Sequence, residues 1–184
     1  TAALRHVDIT MFHMTDFEAD RGEFHGWKEN RAADRTWLLN ELLRLIIDNV
    51  PSWVGFVSRP EGATEKFKAV YKRGIVDSMT LLAREAGKSD DEALALVYAS
   101  HPEYPRATIE KHFGDIGMYD PRLRTCAILA PLDAPPLQAA DLVAYELSRA
   151  QRADGPIRYP LKRLKAGLRR LTLEERFAGP EAYA

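Results

Sequence analysis

The stretch PLQAADLVAYEL, residues 136–147, is the part of the sequence that says most about the fold. Most of its positions are apolar, so a helix formed here must be covered on more than one side. Pro136 suits the first turn of such a helix, where a missing backbone N–H leaves no hydrogen bond unmade. We therefore predict a helix over residues 137–149 that packs inside a layered domain.

Helical and strand-like segments alternate through the rest of the chain. Recurring apolar residues predict helices over residues 30–49, 65–86, 107–113 and 161–171. Short β-prone runs predict strands over residues 53–58, 93–99 and 124–130. The run at 93–99 is ambiguous, because the preceding Ser89-Asp90-Asp91-Glu92 is typical of a helix cap. Residues 1–21 have no clean period, and His25-Gly26-Trp27 favours a turn. This order predicts an α/β domain with helices packed on a largely parallel sheet.

Length and charge restrict the organisation and the partners. The chain has 184 residues, which predicts one domain over residues 1–176 followed by a loose tail over 177–184. It has 26 basic and 27 acidic residues, so a nucleic-acid partner would need a local basic patch. No apolar run approaches the roughly 20 residues of a membrane helix, and the first residues do not have the pattern of a signal peptide, so we expect none. With a single cysteine, Cys126, these features predict a cytoplasmic protein without a membrane partner.

Asp141 is the residue that most needs a chemical explanation. It lies three positions after Gln138, so the two share a helix face, and Tyr145 follows one turn later. An ionised carboxylate among apolar neighbours costs several kcal/mol unless it is paired, hydrogen-bonded or metal-bound. Two interpretations remain open: an arginine or a backbone N–H meets the carboxylate for structural reasons, or Asp141 belongs to a functional site.

Three motifs, in order, resemble a known family. They are Phe12-His13-Met14-Thr15-Asp16-Phe17-Glu18 followed by Phe24-His25-Gly26-Trp27, then the Gln-x-x-Asp of residues 136–146, then Arg158-Tyr159-Pro160-Leu161. Together they are similar to the uncharacterised domain-of-unknown-function 3800 family, over about residues 12–164. The resemblance implies a ribonuclease H-like mixed sheet flanked by helices, and a metal-dependent nuclease activity.

The same resemblance implies which acids to expect. The family has an Asp-Glu pair on its first strand and an Asp on its C-terminal helix, and Asp141 matches the latter. No Asp-Glu strand precedes Phe12, and the context of Asp8 does not fit. We therefore expect a ribonuclease H-like domain without its first strands, in which the family's positions alone cannot complete a two-metal site.

His13 and Asp16 are the further candidates for this site. They are three residues apart and could border the cleft of Asp141 as metal ligand or substrate contact. Asp141 and Asp16 are hard oxygen ligands of the kind that Mg²⁺ or Mn²⁺ prefers, and Gln138 could orient Asp141 or hold a water. The alternative for His13 and Asp16 is a cap or a local hydrogen bond.

A basic run near the C-terminus could contact phosphates. We predict that nucleic acid binds at Arg158, Lys162, Arg163 and Lys165. The alternative is an ordinary solvated helix face. Two functions follow: a Mg²⁺- or Mn²⁺-dependent nuclease-like phosphodiester hydrolase, or a non-catalytic ribonuclease H-like module that binds protein or nucleic acid.

Overall fold

A computed structural model gives the fold of this chain. The residues that it describes are 2–50, 52–58, 74–75, 77–78, 94–100, 106–117, 123–152, 157–167 and 170–176. In these residues the protein is mixed α/β, mostly helical, with a small two-stranded parallel sheet. The predicted α/β class is confirmed at this level.

The elements follow one another along the chain in a regular order. They are α1 (Ala2–His6), α2 (Met14–Ala19), a 3-10 turn (Gly22–Phe24), α3 (Trp27–Asn30), α4 (Ala32–Asn49), β1 (Ser52–Ser58), β2 (Leu94–Ala99), α5 (Arg106–Gly117), β3 (Leu123–Leu129), α6 (Pro135–Arg152), α7 (Tyr159–Gly167) and β4 (Arg170–Arg176). Residues 74–75 and 77–78 are also helical. Strand β1 pairs with β4, and β2 pairs with β3.

The chain divides into two compact units. The first comprises Thr1–Gly55 and Pro131–Thr172, and the second comprises Phe56–Ala130 and Leu173–Ala184. Every predicted site residue lies in the first unit. None of the helices in the described part of the chain has the length and apolar character needed to cross a membrane.

The core of the first unit joins α4, α6 and α7 to an aromatic cluster from the N-terminal segment. The cluster is built on near-perpendicular ring contacts, with Phe24 5.2 Å from Phe17 and 5.3 Å from Trp27 between ring centroids. The helices add buried aliphatic side chains: Leu38, Leu43, Ile46, Leu142, Val143, Leu147, Leu161 and Leu164. Burying each such side chain contributes about 1.5–3 kcal/mol, so this core fixes the N-terminal segment against α6.

The predicted turn at His25-Gly26-Trp27 is confirmed, and its third residue begins α3. Gly26 has a φ of 77°, a left-handed conformation that glycine adopts without strain. The carboxylate of Asp20 accepts hydrogen bonds from the backbone N–H groups of Gly26 and Lys28, at 3.0 and 3.1 Å. These bonds hold the aromatic cluster in place where the chain reverses.

The second unit contains the parallel pair of strands. Residue Ala95 of β2 aligns with Thr125 of β3, and the register continues to Ala99 and Leu129. Helix α5 lies between these two strands in the sequence. Its Ile109 is buried against the sheet with Leu96 and Ile75. The parallel strands and their connecting helix form the βαβ type of unit that the alternating pattern predicted.

Most predicted elements are confirmed, with changes at their ends. Within the ambiguous run at 93–99, residues Leu94–Ala99 form a strand. Helix α5 continues to Gly117, so the predicted end at residue 113 is wrong; a side chain at Gly114 would meet nothing within 4 Å. The predicted helix over 65–86 and the tail over 177–184 lie largely or wholly outside the described residues.

The C-terminal end of the last helix was predicted wrongly. Helix α7 ends at Gly167, where any added side chain would come within 2.6 Å of Ile47. Residues 170–171, predicted as helix, belong to β4. The alternation Leu171-Thr172-Leu173 is the period-two signal for that strand.

Candidate functional site

Gln138 anchors the N-terminal segment to α6. Its Oε1 accepts a hydrogen bond from the backbone N–H of Phe12 at 2.9 Å. Its Nε2 donates to the backbone carbonyl of Pro131 at 3.0 Å. The side chain is buried, and its bond to Phe12 satisfies two groups that water does not reach. Gln138 thus joins the segment before α2 to the loop before α6.

Asp141 lies one turn further along α6 and holds the start of α2. Its Oδ2 accepts a hydrogen bond from the backbone N–H of Met14 at 2.7 Å. The N-cap residue of α2, His13, makes no side-chain cap bond of its own. Asp141 therefore supplies, from 127 residues away, the acceptor that a local cap would normally provide.

His13 lies between two carboxylates. Its Nδ1 is 3.5 Å from Oδ2 of Asp16, and its Nε2 is 3.7 Å from Oδ1 of Asp141. Both separations are longer than the donor–acceptor distance of a hydrogen bond. The Nδ1 atom of His13 is buried and has no hydrogen-bond partner. All three side chains remain partly exposed, and Arg21 approaches the far oxygen of Asp16 at 3.4 Å. The four predicted residues His13, Asp16, Gln138 and Asp141 are thus brought together.

These residues match a metal site only in part. Among the residues that the structure describes, no three His, Cys, Asp or Glu side chains are arranged to hold a metal ion. The 3.7 Å between His13 Nε2 and Asp141 Oδ1 is compatible with two ligands of one ion, since metal–ligand bonds of about 2.1 Å place two ligands about 3–4 Å apart. Asp16 faces the other nitrogen of His13, so it would have to turn to join them.

The most deeply buried acid of α6 is Glu146, which the sequence interpretation did not single out. Its exposed fraction is 1%, whereas the side chain of Asp141 is 34% exposed. Gln138, Leu142 and Glu146 follow at steps of four and form the covered face, and Asp141 lies at its edge. A buried position for Asp141, which its apolar sequence neighbours favour, is therefore wrong, although the four-residue spacing from Gln138 to Glu146 is visible in the sequence.

Burial raises the pKa of the Glu146 carboxyl above its ordinary range, against the lowering effect of Arg158. The guanidinium of Arg158 is 3.7 Å from Glu146 Oε1, and that oxygen has no hydrogen-bond partner. The two groups therefore attract each other without a direct bond.

Glu18 is the acceptor on which three arginines converge, a role that the sequence interpretation did not assign to it. Arg158 binds it with two hydrogen bonds of 2.8 and 3.1 Å. Arg35 and Arg149 approach it at 3.6 and 3.9 Å. Burial works to raise the pKa of the Glu18 carboxyl, but the Arg158 hydrogen bonds and the arginine charges outweigh it and lower that pKa. Arg35 also donates to the carbonyl of Phe17 and lies 3.8 Å over its ring.

The predicted nucleic-acid contacts have different surroundings. Arg158 is engaged with Glu18, and Arg163 donates to Asn40 Oδ1 at 2.8 Å and to the Tyr159 hydroxyl at 2.7 Å. Lys162 and Lys165 are exposed on α7, three residues apart, and so share a face. The guanidinium of Arg158 therefore binds an acid of the protein itself, whereas Lys162 and Lys165 are exposed to solvent.

The chain was compared with protein-family models, with curated proteins and with solved structures, and no match was found in any of the three.

Proposed function

We propose that this chain is a nuclease-like phosphodiester hydrolase domain that works with Mg²⁺ or Mn²⁺. The observation that carries the proposal is the meeting of His13, Asp16 and Asp141 from distant parts of the sequence. Acids and a histidine held together at a partly exposed position favour hydrolytic chemistry over a purely structural role, because structure alone requires only the Met14 hydrogen bond.

Each residue of the site has a defined part in the proposal. Asp141 Oδ1 and His13 Nε2 would hold the ion, which supplies an activated water and neutralises charge developing on the phosphate. Asp16 lies 3.5 Å from His13 Nδ1, so it would orient His13 only after moving closer, and it would have to turn to add an oxygen ligand. Gln138 and the Met14 hydrogen bond keep Asp141 and His13 at a fixed separation. Lys162 and Lys165 would attract the phosphate backbone from solvent.

The ribonuclease H-like fold and the relationship to the domain-of-unknown-function 3800 family belong to the same proposal. The parallel β2–β3 pair, the connecting α5 and the acid-bearing C-terminal α6 support them. The first strand and its acids remain unmatched, so further ligands would have to come from outside the described residues. The cytoplasmic location stays a prediction.

A second function is favoured by a different observation. Gln138 and Asp141 each accept a hydrogen bond from a backbone N–H group, so both residues have a structural role. A non-catalytic module that binds protein or nucleic acid would keep them for that purpose alone. Such a module would need no metal, and its fold would survive loss of the Asp141 charge.

Cleavage by matched variants separates the two functions. The full chain is incubated with Mn²⁺ and labelled single-stranded or duplex DNA and RNA, beside Asp141→Asn and Asp8→Asn. Asp8 is exposed and has a φ of 58°, which asparagine tolerates, so it controls for the loss of one acid. The hydrolase proposal expects metal-dependent cleavage that falls at least a hundredfold in Asp141→Asn and is unchanged in Asp8→Asn. Absence of cleavage, or equal cleavage by both variants, rejects it.

A further inference from the structure

We infer that Arg149 binds a backbone phosphate of a nucleic-acid strand that extends along α6 from the His13–Asp141 site. The inference rests on the proposed function and names its substrate class: a polynucleotide, not a single nucleotide. It assigns to Arg149 a positioning role at a distance from the reacting bond.

The first support is the placement of Arg149 on α6. Asp141, Tyr145 and Arg149 follow at steps of four, so they form one row along the helix. The hydroxyl of Tyr145 lies 3.4 Å from a guanidinium nitrogen of Arg149, which links neighbouring members of the row. The row therefore leads from the site to a cation on the same face.

The second support is the charge around Glu18. Arg35, Arg149 and Arg158 all approach this one carboxylate within 4 Å, and Arg158 takes its two short hydrogen bonds. Glu146 is buried and also faces Arg158, at 3.7 Å. The charge of Asp20 also acts on Arg35, so Arg35 and Arg158 are each engaged by acids of the protein, whereas Arg149 contacts Glu18 only at 3.9 Å. A half-buried cation with only a long contact to an acid is stabilised further by a bound anion.

Arg149 is the member of the cluster that a ligand can reach. Its side chain is 48% exposed, whereas Arg35 and Arg158 are more buried. Its contact to Glu18 is long, at 3.9 Å, so a phosphate would not have to displace a strong internal bond. A guanidinium can bind a phosphate with two parallel hydrogen bonds.

The separation fits a strand. Eight residues of helix place Arg149 about 12 Å from Asp141 along the axis. Each nucleotide advances a strand by about 3.4 Å in a duplex, and further when the strand is extended, so the two residues lie about two to four nucleotides apart. A dinucleotide bound at Asp141 would not reach Arg149, whereas a longer strand would.

Binding without metal tests the inference independently of cleavage. Fluorescence anisotropy of the full chain in EDTA is measured with fluorescein-labelled oligothymidylate and oligouridylate of 12 nucleotides, and with the corresponding dinucleotides. The variants are Arg149→Gln, Arg149→Lys and Arg44→Gln. Arg44 has the same exposure, 49%, but lies on α4 in a surface cluster with Glu41 and Asp48.

We expect Arg149→Gln to weaken 12-nucleotide binding about five- to tenfold and to lower its salt dependence by the equivalent of one phosphate contact. Arg149→Lys keeps the charge and should lose less, while Arg44→Gln and the dinucleotide affinities stay unchanged. Equal 12-nucleotide affinity in Arg149→Gln and wild type, or no binding by wild type, overturns the inference. If cleavage depends on Asp141 but binding does not depend on Arg149, the hydrolase proposal stands alone. If binding depends on Arg149 and nothing is cleaved, only the hydrolase proposal fails.

Discussion

The carboxylate of Asp141 and the backbone N–H of Met14 form a hydrogen bond of 2.7 Å that ties α6 to the start of α2. The other oxygen of the same carboxylate faces His13. One acid therefore serves both the fold and the candidate site, with a separate oxygen for each. This division makes the two roles separable by substitution.

Replacement of Asp141 by asparagine and by alanine separates these roles. Asparagine keeps an oxygen that can accept the Met14 hydrogen bond, so Asp141→Asn should lose less than about 1 kcal/mol of unfolding free energy. Alanine removes the acceptor, and we expect Asp141→Ala to lose about 1–2 kcal/mol. Urea unfolding measures both. An alanine variant as stable as the asparagine variant would show that the bond to Met14 contributes little.

Gln138 should be a larger contributor to stability than an exposed amide. Gln138→Ala leaves the buried N–H of Phe12 and the carbonyl of Pro131 without their partner, so we expect a loss of about 2–3 kcal/mol. Asn49→Ala is the matched control, because its amide donates to a helix carbonyl at the surface. It should change stability by less than about 0.5 kcal/mol. Similar losses in the two variants would contradict this account of Gln138.

Arg158 should matter more for the fold than a surface arginine does. Arg158→Met removes two hydrogen bonds from the half-buried Glu18 and leaves Glu146 without its nearest cation, so we expect a loss of about 2 kcal/mol. Arg44→Met breaks comparable ion pairs in solvent, where water screens them, and should cost less stability than Arg158→Met does. Chemical denaturation of the two variants checks the order. If Arg44→Met is the more damaging change, the assignment of Arg158 to the interior is wrong.

The raised pKa of Glu146 gives a pH dependence with a definite sign. Between the ordinary pKa of glutamate and its raised value in the fold, the native state binds more protons than the unfolded state. Stability then falls as pH rises through this window. Glu146→Gln cannot ionise, so its stability relative to wild type should be greater at pH 8 than at pH 5. Unfolding free energies of both proteins at the two pH values give this comparison, and a difference that does not change with pH would refute it.

The sequence predicted the long elements better than the short ones, and it named the residues that meet in the candidate site but not the buried network beside them. Helices α4 and α6 have enough turns for their apolar period to be visible, whereas α1 and α2 have five and six residues and show none. His13 and Asp141 could be assigned to one candidate site, because their motifs occur in the order found in the family that the sequence resembles. The cluster of Glu18 with its three arginines could not be predicted from the sequence. These four side chains lie on four separate segments of the chain, and only packing brings them together.

Manganese binding to the full chain is the most direct test of the central claim that His13 and Asp141 form a metal-dependent hydrolytic site. Isothermal titration with Mn²⁺ is compared between wild type, Asp141→Asn and His13→Gln, each shown by its unfolding curve to be folded. The account predicts saturable binding by wild type that weakens at least tenfold in both variants. Binding that is absent in wild type, or equally tight in all three proteins, would contradict it.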